Sequence, residues 1–244
     1  MRNPVSDKSE LLLKPKRFYK VAAAAPVEGG FAVQLDGRTP KSPARKPLIL
    51  PSKALADMIA AEWDAQVDYI DNSLMPASRL AFTAIDRIAE TRAEVAREVT
   101  AYAASDHLCY RAEHPTPLVE RQDREWGAIL DWAKAEYGFV FTPVGGIIHQ
   151  PQPPATLAAV EALALTLDDF ALAGVAFASG LFGSTVLALA VRAGRLTGQR
   201  ALDLSRLEEM FQAEQWGQDA EATARAAFLA VEAEMIDRWF AALR

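Results

Sequence analysis

The spacing of hydrophobic residues in the first fifty positions is typical of β-strands. Apolar side chains alternate with polar ones, most clearly over residues 31–35, and Gly and Pro separate the short apolar runs. Asp36 and Gly37 follow directly and favour a two-residue hairpin turn, because both of its central positions tolerate positive φ. We therefore expect a first strand that opens at residues 18–21 and precedes a turn at Gly29-Gly30, and further strands at 31–35 and 48–50.

From residue 54 onwards the apolar residues recur every three to four positions, which predicts helices. Leu55, Ile59 and Trp63 share one face of a helix over residues 54–67, and Trp63 is expected to be a core residue that joins two domains. Further helices are predicted at about 77–89, 92–103, 117–137, 155–167, 168–180, 183–193, 199–216 and 219–243. Residues 139–141 could form one more strand that returns to the N-terminal sheet.

These patterns predict an α+β fold. A flexible N-terminus over residues 1–16 precedes a small β-rich domain with one helix over residues 17–75. A larger all-helical domain then occupies residues 76–244.

One uncharged stretch, residues 170–191, is long enough to span a bilayer. It is built largely from Ala and Gly, and polar or flexible pairs (Ser179-Gly180 and Gly183-Ser184) interrupt its middle. Two closely packed helices inside a helical core are therefore favoured, and a membrane-anchored scaffold is the alternative.

Composition excludes some classes of protein. The formal net charge of −6 and the lack of a basic cluster argue against nucleic-acid binding. Cys109 is the only cysteine, so no internal disulfide can form, which is compatible with a reducing compartment. The N-terminus has no apolar signal segment and carries Asp7 and Glu10, so we expect a cytoplasmic, bacterial protein.

Candidate chemistry is sparse. The run from Asp106 through His107 to Cys109 brings potential ligands together, but no second cluster at zinc spacing accompanies it. We expect His107 in a hydrogen-bond network and Cys109 as a small buried side chain. No lysine follows Gly174 as far as residue 191, so the phosphate-binding loop pattern fails. We predict no metal, cofactor, nucleotide or catalytic residue, with an enzyme of unknown class and an interdomain site as the alternative.

The segment over residues 206–219 holds an unusual acid. On a helix, Glu214 falls in the apolar stripe of Leu207, Met210 and Phe211. A buried carboxylate requires a partner. That partner is either an arginine of the helical domain, such as Arg206 or Arg225, or a basic group on another protein that meets a part-buried stripe.

The chain resembles a known family over nearly its whole length, from Arg17 to about Leu243. The matching blocks are RFYK (17–20), GGFAVQLDGRTPKSP (29–43), PLILPS (47–52), LADMIAAEWDAQ (55–66), MPASRLAFTAIDRI (75–88), DHLCYRAEHP (106–115) and RLEEMFQAEQWGQDAEA (206–222). They are similar to those of the ATP synthase F1 assembly chaperones that hold the alpha subunit, a family with members in the mitochondrial matrix. The resemblance implies a non-enzymatic chaperone that protects free alpha until beta replaces it.

The resemblance also directs attention to particular residues. It makes the acidic helix the expected partner-binding site, with Glu208, Glu209, Glu214 and Trp216. We interpret Trp63, Asp36, Gly37, Asp86 and Arg87 as structural. For Asp86 and Arg87, a capping or interdomain ion pair is favoured over a partner contact.

Overall fold

The computed structural model describes residues 14–217 and 220–244. The chain divides into two compact units, one ending at Arg87 and the other running from Ile88 to Ala242. The first unit holds a small sheet, and the second is mostly helical. The predicted α+β fold class is thereby confirmed. The boundary predicted after residue 75 lies one short helix before this division.

Three antiparallel strands and two helices form the first unit. They are β1 (Ala22–Val27), β2 (Gly30–Leu35), β3 (Ile49–Leu50), α1 (Lys53–Asp64) and α2 (Pro76–Thr83). The predicted start of the first strand at residues 18–21 is too early, because the Asp36 carboxylate accepts the N–H groups of Lys20 (3.0 Å) and Val21 (2.9 Å). The first strand therefore begins at Ala22.

Asp36 and Gly37 form a two-residue turn with φ of 48° and 80°. Leu35 and Arg38 exchange both backbone hydrogen bonds across it, at 2.8 and 3.0 Å. The backbone N–H groups of Val21 and Lys20 hold the pKa of the Asp36 carboxyl below its usual value. The turn therefore fastens the segment that enters β1 to the end of β2.

Asp86 lies in the π-helical turn Ala84–Ile88 that follows α2. Its carboxylate accepts hydrogen bonds from the Ser42 hydroxyl and from the Ala44 N–H, the latter at 2.9 Å. It thus holds the loop between β2 and β3. The neighbouring Arg87 side chain is exposed.

Helix α1 supplies much of the core of the first unit. Ser52 caps it by accepting the Leu55 N–H, and Leu55, Ile59 and Trp63 are buried along one face. The Tyr19 hydroxyl donates to the Trp63 carbonyl at 2.6 Å. The expected role of Trp63 in joining two domains stays a prediction.

The N-terminal segment was expected to be flexible over residues 1–16. Residues 1–13 lie outside the described part of the chain. Lys14 pairs with Asp71 at 2.6 Å, and Arg17 donates its backbone N–H to Asp68. Residues 14–17 therefore run along residues 68–71 as an extended segment.

Within the described residues, the second unit contains eight α-helices, a short 3-10 helix (His107–Cys109) and one short parallel strand pair. The helices are α3 (Ala89–Ala104), α4 (Thr116–Tyr137), α5 (Pro154–Thr166), α6 (Asp169–Phe182), α7 (Thr185–Arg192), α8 (Gly198–Ser205), α9 (Leu207–Trp216) and α10 (Ala220–Leu243). The strands are β4 (Tyr110–Arg111) and β5 (Val144–Gly145). The predicted start of the last helix at Asp219 lies outside the described residues.

Two sequence predictions for this unit are wrong. The single helix over residues 199–216 is broken at Arg206, whose φ and ψ of −112° and 20° end α8 before α9 begins. Residues 139–141 form no strand and do not extend the N-terminal sheet. Instead, Thr156 accepts the Val140 N–H at 3.1 Å and donates to its carbonyl at 2.8 Å.

The uncharged stretch over residues 170–191 forms α6 and α7. Asp168 and Ser184 cap their N-termini, and Gly183 separates them with a φ of 62°. Among the described residues, no helix combines the length and the apolar character needed to cross a membrane. The stretch is accounted for by two buried helices, of which α6 packs against α3 and α7.

We expect Gly174→Ala to destabilise the protein by about 1–3 kcal/mol, because the added Cβ overpacks a buried contact. It would lie 2.8 Å from a Phe240 ring carbon and 2.9 Å from Trp239 Nε1. The matched control is Gly127→Ala in α4, where nothing lies within 4 Å of the added Cβ. The free energy of unfolding of that control should rise by roughly 0.5–1 kcal/mol, because Ala has a higher helix propensity than Gly. Urea unfolding measures both, and equal effects would contradict the close contact.

We expect Trp63→Ala to lower the free energy of unfolding by about 3–5 kcal/mol, because only 7% of Trp63 is exposed. Trp216→Ala removes the same side chain from a site where it is 81% exposed. The change there should be within about 0.5 kcal/mol. Thermal and urea unfolding compare the two variants, and normal stability of Trp63→Ala would refute the core assignment.

Candidate functional site

A groove of about 890 Å³ opens on the helical unit. Residues 107–114, the loop after β5 and the start of α9 contribute its walls. Its lining includes the side chains of His107, Glu113, Leu118, Ile147, Ile148 and Glu208. The groove therefore joins two of the sequence blocks that carry the family resemblance, residues 106–115 and 206–222.

Asp106 fixes one wall of the groove from beneath. Its buried carboxylate accepts the N–H groups of Leu108 and of Val186, both at 3.1 Å. Burial raises the pKa of this carboxyl to about 6, against the opposing effect of the hydrogen bonds it accepts. Asp106 therefore ties the turn that carries His107 to the first turn of α7.

Backbone pairing fixes the opposite wall. Tyr110 and Arg111 of β4 pair in parallel with Val144 and Gly145 of β5, and the Gly146 N–H donates to the Arg111 carbonyl at 2.8 Å. These bonds hold the stem of the loop that presents Ile147 and Ile148. The Ile side chains themselves are 94% and 75% exposed.

Glu208 is oriented by a buried amide. Gln122 in α4 donates from Nε2 to the Glu208 carboxylate at 2.6 Å, and its Oε1 accepts the Ala112 N–H at 2.7 Å. Gln122 is fully buried, so this orientation is well defined. Within the described part of the chain, no Lys or Arg pairs with Glu208.

The other two acids of the predicted site already have cationic neighbours. Arg206 Nη2 lies 2.8 Å from the Glu209 carboxylate, and Arg121 Nη1 lies 2.9 Å from both Glu214 oxygens. Arg121 is the arginine of the helical unit that pairs with Glu214, rather than Arg206 or Arg225. The Glu214 side chain is nevertheless 51% exposed. The structure therefore shows an internal pair with an arginine, and a basic group on another protein stays a prediction.

The apolar stripe around Glu214 is only partly covered. Leu207 is buried, Phe211 is half-buried and Met210 is exposed. Trp216, at the end of α9, presents most of its ring to solvent. The predicted partner-binding residues thus lie along one short helix, with Glu208 at its groove end and Trp216 at the other.

The groove carries negative charge. Arg111 is buried, donates to the Gln122 carbonyl and lies over the Trp126 ring, 5.4 Å from its centroid. Burial lowers the pKa of His107, while the fields of Glu208 and Glu209 act in the opposite direction. The imidazole is therefore mainly neutral at pH 7. Glu113 and Glu208 supply the accessible carboxylates of the groove, and the exposed His114 side chain also lines it.

The titratable groups of this region suit recognition better than group transfer. Burial raises the pKa of the Cys109 thiol to about 12, so it does not supply a thiolate at neutral pH. The Tyr110 hydroxyl and His149 Nδ1 lie 2.8 Å apart at the surface. The oriented Glu208 carboxylate and the exposed Glu113 carboxylate, beside exposed apolar side chains, are instead suited to hold a cation that is attached to an apolar group.

Sequence reasoning missed Gln122, Glu113, Ile147 and Ile148. The two isoleucines stand side by side within a loop rich in Gly and Pro. Adjacent apolar residues in such a loop are an available signal for an exposed recognition surface. Gln122 gives no comparable signal, because its partners come from distant parts of the chain.

The chain thus combines a small sheet unit with a helical unit that carries a groove. Comparison with known proteins identifies its family: the model for the ATP12 chaperone protein matches residues 16–134. Atp12 from Paracoccus denitrificans is 38% identical, with a TM-score of 0.87 over 94% of this chain and 99% of that one. A protein from Agrobacterium tumefaciens is 40% identical, with a TM-score of 0.89 over 100% of this chain and 92% of that one.

A more distant relative extends the comparison to eukaryotes. The mitochondrial protein atp12 of Schizosaccharomyces pombe is 25% identical over 215 residues, which cover 83% of this chain and 74% of the relative. The chain belongs to the ATP12 chaperone family, and it is a chaperone of the F1-ATPase assembly type. The family resemblance inferred from the sequence is thereby confirmed.

We expect Glu208→Gln to lower the pKa of His107 further, because it removes a negative charge that stabilises the imidazolium. Glu209→Gln is the matched control and should have a smaller effect, since Arg206 already neutralises that carboxylate. NMR titration of the imidazole measures both. An unchanged His107 pKa in Glu208→Gln would contradict the groove geometry.

Proposed function

We propose that this chaperone binds the free alpha subunit of the ATP synthase catalytic head in the bacterial cytoplasm. It covers the surface that alpha would use against beta and releases alpha when beta competes for that surface. Family membership supports a role in F1 assembly. The observation that favours a charged docking surface is Glu208, which a buried amide orients and no described cation neutralises.

Mass action explains how such a chaperone would work. A subunit without its partner exposes apolar interface and tends to aggregate. A protein that binds only its folded form stabilises that form by RT ln(1 + [L]/Kd). Beta needs only the higher affinity to displace the chaperone, so the chaperone itself requires no nucleotide hydrolysis.

The contacts of α9 suit this exchange. Exposed ion pairs such as Arg121–Glu214 contribute about 0–1 kcal/mol, so a basic group of alpha can replace Arg121 at small cost. Trp216 adds a large exposed ring of the kind that dominates protein interfaces. We propose Glu208, Glu209, Glu214 and Trp216 as the alpha-binding residues.

The enzymatic alternative finds no comparable support. The most strongly raised pKa values around the groove belong to Asp106 and Cys109, and both side chains are fully buried. Neither can meet a substrate in the groove without a change of structure.

The proposal predicts that Glu214→Lys folds but no longer retains alpha. The ion pair that it removes is exposed, so the stability change should stay near 1 kcal/mol, whereas a lysine would repel a basic group of alpha. Co-expression with alpha alone, with and without beta, followed by size-exclusion chromatography, measures retention and release.

A charge exchange separates the partner role of Glu214 from a structural role. The double variant Arg121→Glu with Glu214→Arg regenerates the internal pair with its polarity reversed. If Glu214 serves only the fold, the double variant should bind alpha normally. If its charge meets alpha, binding should stay lost. Because the double variant keeps the net charge, Glu221→Lys in α10 is the control for the change in net charge in Glu214→Lys. Failure of the wild type to retain alpha would refute the proposed function.

A further inference from the structure

We infer that the groove receives a basic side chain of the client subunit together with an adjacent apolar side chain. Glu208 and Glu113 supply the acidic half of the site, and Ile147 with Ile148 supplies the apolar half. This inference rests on the proposed function, since it takes alpha as the client. It adds a second docking element, distant in sequence from α9.

The apolar half is held ready by the backbone. The β4–β5 pairing and the Gly146-to-Arg111 hydrogen bond fix the loop at its base, while Ile147 and Ile148 remain exposed. Covering two such β-branched side chains removes their apolar surface from water, which favours binding. Because the loop is already fixed, less of that gain is offset by ordering of the chain.

The acidic half is placed directly beside this loop. A carboxylate oxygen of Glu113 lies 3.6 Å from the position that a Cβ on Gly146 would occupy. Glu208 faces the same groove from α9. A cation in the groove can therefore be approached by carboxylates from two elements while its neighbour contacts the isoleucines.

The charges of the groove select the kind of occupant. Arg111 is buried, and the Asp123 carboxylate at 3.7 Å partly offsets the charge of its guanidinium, while burial lowers the pKa of His107. An Arg or Lys is therefore attracted, whereas an acidic peptide, a phosphate group or an anionic lipid surface meets like charge. The occupant that fits is a basic and apolar segment of a protein.

The size of the groove sets the length of that segment. A volume of about 890 Å³ falls within the range of pockets that bury a compact ligand, roughly 300–1,000 Å³. It can take a few side chains but not the face of a domain. The groove therefore binds a short stretch of alpha, and α9 with Trp216 contacts the remaining surface.

Two groove variants test the inference by calorimetric titration against purified alpha. They are Ile147→Ser combined with Ile148→Ser, and Glu208→Gln. Each should raise Kd by about tenfold or more, because each removes one half of the site. Affinity of the wild type should also fall with added salt, and Glu208→Gln should weaken that dependence.

Matched controls lie on α10. Phe228→Ser combined with Val231→Ser removes two exposed apolar side chains outside the groove, and Glu221→Gln removes an exposed acid. These controls should change Kd by less than about twofold if the groove is specific. Equal loss in controls and groove variants would overturn the inference.

A photo-crosslinking amino acid at position 148 identifies the occupant. We expect one segment of alpha to be captured, with an Arg or Lys beside an apolar residue. If the wild type binds alpha but the groove variants bind normally, or position 148 captures no such segment, the groove inference fails and the proposed function stands. If the wild type does not bind alpha, both fail.

Discussion

The buried amide of Gln122 is the contact on which the groove depends. Its Oε1 accepts the Ala112 N–H, its Nε2 orients Glu208, and its backbone carbonyl accepts from Arg111. One residue of α4 thus joins the end of β4 to the start of α9. Leaving a buried polar group without a partner costs about 1–3 kcal/mol, so each of the three hydrogen bonds stabilises this arrangement. The partly exposed Glu208 carboxylate is therefore oriented in the groove by a residue of the core.

Local rules account for most of the fold. The turn at Asp36 and Gly37, the caps at Ser52, Asp168 and Ser184, and the alternation in β2 follow from backbone preferences of single residues. These preferences act over a few positions, so they can be recognised in sequence. The same locality explains why the uncharged stretch over residues 170–191 could be interpreted as two buried helices.

Features that depend on distant residues could not be predicted. The pairing of Glu214 with Arg121 joins residues 93 positions apart, and no spacing rule selects Arg121 over other arginines. The break at Arg206 interrupts a helical pattern of apolar residues that continues on both sides, so this pattern alone predicts one helix over residues 199–216. The first strand begins later than predicted for a related reason, since the Asp36 side chain, from a turn later in the chain, accepts the N–H groups of Lys20 and Val21. The candidate site could be located on α9 from the family resemblance, but its opposite wall could not.

The Arg121–Glu214 ion pair affects how reversibly a client would bind. Under the proposed function, a client that takes the place of Arg121 exchanges one charge contact for another and gains little net attraction at that point. Glu208 differs, because its attraction to a client is not offset by loss of an internal cation. Two acids of one helix then have different roles. Glu208 lengthens the residence time of the client, whereas Glu214 favours release, because Arg121 can re-form its ion pair with Glu214 as the client departs.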